Sequence, residues 1–424
     1  MKQTRLFTAT VWTLAGNGAA ALAQWATVIT VSRMLGYSAG GDYALALAVV
    51  NPVLMLANLQ LRAVIATDAA QQYPFWDYLS LRLWTSLAAA VAVVQFGTLN
   101  PSLSVTVLLA VLALKLVEAM SDIYYGAFQQ AGRMDWIAQS LMTKSSLSIA
   151  LLIVVSALWQ SLALALLASA IGTALVWLWF DCAQAQKLGL EGIGRLLPDW
   201  PPNWSSMRAI TEAAFPLGVV MMLVSLNQSI PRFAVEKFAG REELGLFAAV
   251  AAMAQSVNLA LNAVGQSMTA PLSQCAHRGD WKGFRSLFGK GLGTGILVVT
   301  VCCLICVFMG PALLLAIFGK TTPEQSWMLV LQMMAAGVTA LAGLCGYALT
   351  AMGEFRQQLL LFIPLTSLTA LFSWGFVPAY GVEGACWVLV AGSILHLAAA
   401  GFLLNFRLAQ PAAMVGEAVP EASL

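Results

Sequence analysis

Asn51, Asn58 and Arg62 follow one another at spacings of seven and four inside a long apolar stretch. On a continuous helix those spacings put the three side chains within about 40° of one face. The chemistry available to such a set is recognition rather than bond-making. Arginine grips phosphate oxygens through two parallel N–H bonds and cannot be neutralised. Amides offer donors and acceptors to hydroxyl groups. The pattern then recurs 204 residues later, where Gln255, Asn262 and Gln266 fall opposite Asn51, Asn58 and Arg62, and Gln228 falls opposite Gln24. Asn258 joins the second stripe, and Asn17 adds an amide to the first apolar run. A polar stripe within a membrane must face protein or water, because an unsatisfied group in lipid costs several kcal/mol. Interhelical hydrogen bonds, about 0.6 kcal/mol each, are one account of the stripes. A water-filled cavity is the other, and recurrence in both halves favours it.

Arg62 has its own alternatives: a cavity facing an anionic cargo, snorkelling to the interface, or pairing with Asp68. Arg33 and Arg232 end the first and seventh apolar runs. They are expected either to guide an anionic head outward or to anchor helix ends. Lys115, Glu118 and Asp122, at spacings of three and four, share about 60° of one helix. They read as an internal ion pair, with a carboxylate that could exchange a proton or sodium ion as the competing role. Cys302, Cys303 and Cys306 share one apolar run with no His close by; they read as packing rather than metal ligands. His396 reads as packing too. No metal or cofactor is expected.

The elements that must position these residues are membrane helices. Sixty per cent of the 424 residues are hydrophobic and 9% charged, against about 25% charged in soluble domains. The apolar runs reach about 20 residues, enough to cross the roughly 30 Å hydrocarbon layer. They give about twelve spans, from 8–32 to 383–407, an all-α polytopic protein. The fifth and sixth spans are separated only by a turn at Trp159-Gln160-Ser161, and 312–319 is too short to cross and extends the ninth. The first run continues past Ala21-Leu22-Ala23, so it reads as an uncleaved helix. Tyr73 to Tyr78 reads as a short amphipathic segment on the cytoplasmic surface. With Trp12, Trp136 and Trp281, its aromatics read as an interfacial belt.

Lys and Arg concentrate on one side, which includes Arg82, Arg133, Lys144, Arg208, Arg285 and Arg407. That side is expected to be cytoplasmic, with both termini on it. The polar connection near 191–208 divides the chain into six-helix lobes, 1–190 and 209–408, followed by a disordered tail, 409–424. No extramembrane segment is long enough for a nucleotide-binding or catalytic domain, and a net charge of +2 suggests no nucleic-acid partner. The repeat is parallel. Arg33-x-x-Gly36 then Gly41-x-Tyr43-Ala44 matches Lys237-x-x-Gly240 then Gly245-x-Phe247-Ala248, and glycines at Gly132 and Gly353 end the fourth and tenth spans.

Residues 32–45 (SRMLGYSAGGDYAL), 59–68 (LQLRAVIATD) and the Gly132 and Gly353 helix ends resemble the Wzx-type repeat-unit flippases of polysaccharide biosynthesis. These form a branch of the MOP exporter superfamily. The resemblance implies two six-helix MATE-like lobes. It also implies alternating access that turns an undecaprenyl-pyrophosphate-linked oligosaccharide from the inner to the outer leaflet of the bacterial cytoplasmic membrane, with O-antigen or lipopolysaccharide assembly as the setting. It implies a cationic cavity, for which Arg62, Arg33, Arg232 and Lys115 are candidates. The partners would be the lipid-linked oligosaccharide, membrane lipids and a proton or sodium ion, and the protein would not be an enzyme. A MATE-type ion-coupled drug exporter is the alternative, kept open by Glu118 and Asp122. A membrane-embedded glycan polymerase or ligase is a more distant one.

Overall fold

Every long apolar run is a helix, and no described residue lies in a strand. The computed structural model describes residues 2–68, 72–190, 203–318, 323–352 and 355–409. The helices are α1 (Lys2–Met34), α2 (Tyr37–Asn58), α3 (Leu61–Thr67), α4 (Phe75–Leu99), α5 (Val105–Gln130) and α6 (Met134–Trp159). Next comes α7 (Leu162–Val176), which runs through a π turn (Trp177–Asp181) into α8 (Cys182–Lys187). Then follow α9 (Trp204–Ala239), α10 (Arg241–His277), α11 (Trp281–Phe318), α12 (Pro323–Ala351) and α13 (Phe355–Ala409). Gly381 breaks α13 into two helices end to end (φ 59°, ψ −139°). With α2–α3 and α7–α8 each taken as one traverse, the helices make the twelve expected spans. Among the described residues, eight helical segments, with Leu360–Ala409 taken as one, are long and apolar enough to cross a membrane, and the protein is a multi-pass membrane protein.

Local signals set several boundaries. Gln160 takes the left-handed conformation (φ 49°) after α6, and the Ser161 hydroxyl caps α7 by accepting from the Leu164 N–H at 3.5 Å. At the end of α5, Gly132 has φ 71° and the Arg133 N–H donates to the Phe128 carbonyl at 2.8 Å. Residues 312–318 continue α11, as expected. Gly353, the connection 191–202 and the segment 410–424 lie outside the described residues.

The chain forms two units, Met1–Ala252 and Met253–Leu424. In the first, α1 packs on α6, α2 on α9, and α5 on α3, α4 and α7. Its core is rich in rings that meet edge to face, Phe75 on Tyr124 at 5.4 Å and Phe128 on Trp136 at 5.6 Å. This corrects the expected belt at two positions, since Tyr78 and Trp136 are buried core residues. Of the strip Tyr73 to Tyr78, Phe75 onward is the first turn of α4, and Pro74 is exposed. The Tyr78 hydroxyl donates to Asp68 at 3.1 Å and the Tyr73 ring meets Tyr78 edge to face, which turns Tyr78 inward. In the second unit α12 packs between α11 and α13 and is largely buried. Meanwhile α11 exposes Leu297, Leu304 and Phe308, side chains suited to lipid.

Candidate functional site

The helix that carries Asn51, Asn58 and Arg62 does not run through. Leu59 and Gln60 both adopt left-handed backbone (φ 48° and 50°), ending α2 and starting α3. Two bulky L-residues rarely accept this conformation, and such strain clusters at functional positions. Non-helical backbone at membrane depth is tolerated where protein encloses it, and two glycines do so. A Cβ on Gly218 of α9 would stand 3.0 Å from the Leu56 carbonyl oxygen and 3.4 Å from the Leu59 Cα. A Cβ on Gly126 of α5 would stand 3.1 Å from the Arg62 carbonyl oxygen. The break therefore sits between two backbones, and the single stripe expected from spacing is divided, with Asn51 and Asn58 on α2 and Arg62 on the short helix α3.

Past the break the polar groups converge. Arg62 lies 3.4 Å from the Asp122 carboxylate and donates its Nε to the Gln129 Oε1 at 3.4 Å. Its guanidinium also faces the Tyr125 ring, 5.6 Å from the centroid. Arg82, two turns into α4, has a fully buried side chain. It donates to the Asn58 Oδ1 and reaches the other Asp122 oxygen at 3.7 Å. Asp122 thus faces two guanidiniums rather than Lys115, which corrects the trio expected on α5. Lys115 instead pairs with Glu118 at 2.7 Å. Asp68 is not the partner of Arg62; it accepts from the Gln72 N–H and the Tyr78 hydroxyl.

A second buried network lies beside it on α5, around Ser121 and Tyr125. Lys144 of α6 pairs with Asp181 at the end of the π turn and donates to the Ser121 hydroxyl at 2.6 Å and the Tyr125 hydroxyl at 3.1 Å. Tyr125 is also within 2.8 Å of the Ser140 hydroxyl, so its ring lies between the Arg62 and Lys144 groups. Arg82 and Lys144, both expected on the cytoplasmic side, have buried side chains within helices. Each lies near the end of an apolar run, so hydropathy assigns it to a boundary. Its partners are distant in sequence: Arg82 meets Asp122, and Lys144 meets Asp181.

The remaining candidates are distributed differently. Arg232 is half-buried on α9, and Lys115 is half-buried on α5 beside its partner Glu118. Arg33 is exposed in the last turn of α1, where a cation complements the helix C-terminus. Asn17, Gln24 and Gln228 are exposed on their helices, and Asn51 is half-buried. In the second unit Asn258 donates to Gln255 at 2.7 Å, and Gln255 and Asn262 are exposed. The Gln266 side chain lies outside the described residues. His396 packs against the Phe362 ring at 5.0 Å.

The chain matches the family model described as polysaccharide biosynthesis protein over residues 6–277. The capsular polysaccharide biosynthesis protein CapF of Staphylococcus aureus is 24% identical over 383 residues, covering 90% of this chain and 94% of CapF. Among solved structures, an inward-facing multidrug resistance MATE family transporter of the MOP superfamily is similar with a TM-score of 0.69 at 14% identity, covering 93% of this chain and 96% of that one. A MOP superfamily transporter from Pyrococcus furiosus, titled for the reverse polarity of its binding pocket, gives 0.64 at 13% identity, covering 96% of each chain. At such identities the structural likeness establishes the fold, and the family match establishes the biological setting. The chain belongs to the polysaccharide biosynthesis protein family and is a multi-pass membrane protein with the fold of the MATE transporters.

Proposed function

We propose that the protein flips an undecaprenyl-pyrophosphate-linked oligosaccharide from the inner to the outer leaflet of the bacterial cytoplasmic membrane by alternating access. In this reading both termini lie in the cytoplasm, and two six-helix lobes, 1–190 and 209–408, are the moving parts. A diphosphate and a hydrated glycan cannot cross hydrocarbon unaided, whereas the lipid tail can stay in the bilayer. The observation that carries the reading is Arg62: a guanidinium one-third exposed, placed by a broken helix, inside a protein that belongs to a polysaccharide biosynthesis family. Arg232 and Lys115 extend the positive lining, and Arg33 serves as an outer guide. The exposed amides Asn17, Gln24, Gln228, Gln255 and Asn262, with Asn51 and Asn258, are the proposed glycan contacts. Glu118, the more exposed partner of its ion pair with Lys115, is the proposed site for a coupling proton or sodium ion. CapF is named for capsular polysaccharide, so a capsule-type repeat unit joins O-antigen among the proposed cargoes.

Native mass spectrometry of detergent-solubilised protein with an undecaprenyl-pyrophosphate oligosaccharide tests this. Selective binding that is lost in Arg62→Ala is the expected result. Equal or absent binding, with a lipophilic cation bound instead, would replace it with ion-coupled drug export.

A further inference from the structure

The Asp122 carboxylate sits between two guanidiniums and satisfies neither well. Its contacts, 3.4 Å to Arg62 and 3.7 Å to Arg82, are longer than the 2.7–2.9 Å usual for charge-assisted bonds. Two positive charges face one negative charge. Arg82 has no exposed side-chain surface, and its Nε and one terminal nitrogen lack hydrogen-bond partners among the described residues. A buried, half-compensated guanidinium is costly, and the chain has not relieved that cost with a second carboxylate. It has instead oriented both arginines by neutral acceptors, Gln129 on Arg62 and Asn58 on Arg82. Asp122 is itself a third exposed, so it can withdraw to water.

We propose that Arg62 and Arg82 form a single diphosphate subsite, and that Asp122 is its resident surrogate, displaced when phosphate oxygens enter. The inference rests on the flippase reading and adds to it a second phosphate-binding residue and a mechanism of release. A diphosphate carries enough acceptor oxygens and charge to engage both forks at once, which one carboxylate does not. Asp122, a third exposed, adjoins the fully buried Arg82 at 3.7 Å, and its departure opens a way to the second fork. Its return competes with the bound head group and sets the cargo free. An affinity weakened in this way suits a carrier, because a diphosphate held by two uncontested arginines would leave slowly.

The test compares binding of inorganic pyrophosphate and of undecaprenyl pyrophosphate to wild type, Asp122→Asn, Asp122→Glu and Arg82→Lys by calorimetry in detergent, alongside transport in vesicles. Asp122→Asn keeps the size and loses the charge. It is expected to bind both ligands about tenfold tighter, roughly 1.4 kcal/mol, while transport falls because release slows. Asp122→Glu, which keeps a competing carboxylate, is expected to bind like wild type. Arg82→Lys keeps the charge but loses the fork, and is expected to weaken both ligands about tenfold; it carries the test if Asp122→Asn does not fold. Asp122→Asn binding no tighter than wild type, or Arg82→Lys binding as well as wild type, overturns the exchange while lipid-diphosphate binding by wild type leaves the flippase reading standing. Binding of the lipid form alone assigns the site to the head group together with its tail and overturns a subsite for diphosphate as such. Failure of wild type and every variant to bind either ligand overturns the flippase reading itself.

Discussion

Gly41 and Gly245 fit against each other's helices in a reciprocal way. A Cβ on Gly41 would overlap the Arg241 carbonyl, and a Cβ on Gly245 would overlap the Tyr37 carbonyl. Each glycine is 204 residues from the other, and so are Tyr37 and Arg241. The repeat in the sequence is therefore also a local two-fold in space, where the first turns of α2 and α10 cross with backbone touching backbone. Asp42 and Arg241 add an ion pair across the same crossing.

Adding a methyl group at that crossing forces the backbones apart. Gly41→Ala and Gly245→Ala are each expected to cost about 1–3 kcal/mol, in the range of overpacking. Thermal unfolding in detergent checks this against Gly343→Ala, whose new methyl meets open space. Unchanged melting of the first two variants would falsify the close crossing.

At the α2–α3 break, Gln60 holds φ 50° with a side chain that is only half-buried. Gln60→Gly removes the Cβ clash of the left-handed conformation, worth about 1–2 kcal/mol, against an entropic loss of about 0.5–1 kcal/mol. A net gain of roughly 0.5–1 kcal/mol in stability is expected. A destabilised variant would show that the Gln60 side chain supports the break in a way its backbone does not.

The Lys144–Asp181 pair is enclosed. Removing one partner, as in Lys144→Met or Asp181→Leu, leaves an uncompensated charge and is expected to cost about 3–5 kcal/mol. The double variant should recover most of that loss. A double variant as unstable as the singles would mean that the Ser121 and Tyr125 hydroxyls cannot re-pair once Lys144 is gone.

The Asp42–Arg241 pair is only partly shielded from solvent, so its contribution is expected near 1 kcal/mol or less. Asp42→Arg should lower the amount of folded protein in the membrane, and combining it with Arg241→Asp should restore it. No recovery in the exchanged pair would mean that the crossing depends on the glycines alone.

Much of this architecture is legible in the residue order, for reasons that differ by element. The Gln160-Ser161 turn and the Gly132 helix end are written in short polar and glycine signals between apolar runs, and both are where spacing puts them. Arg62 stands out because charge inside a span is expensive. The break beside it does not, since Leu59-Gln60 contains neither glycine nor proline; what allows it lies in Gly126 and Gly218, on other helices. The pairing of Arg82 and Lys144 is hidden for a related reason. A local window sees a cation near the end of an apolar run, and only the fold supplies Asp122 and Asp181 as their partners.

The Lys144–Asp181 pair also bears on how the chain is made. A lysine and an aspartate in separate helices would each raise the cost of leaving the translocon by about 2.5–3.5 kcal/mol near the helix centre. Here the two reside on consecutive helical runs joined by the tight Gln160-Ser161 turn. Leaving as a hairpin, they can neutralise each other before either meets lipid. α6 should therefore wait for α7 during synthesis, and glycosylation mapping of chains ended at Gln160 or at Lys187 should find α6 stably inserted only in the longer one.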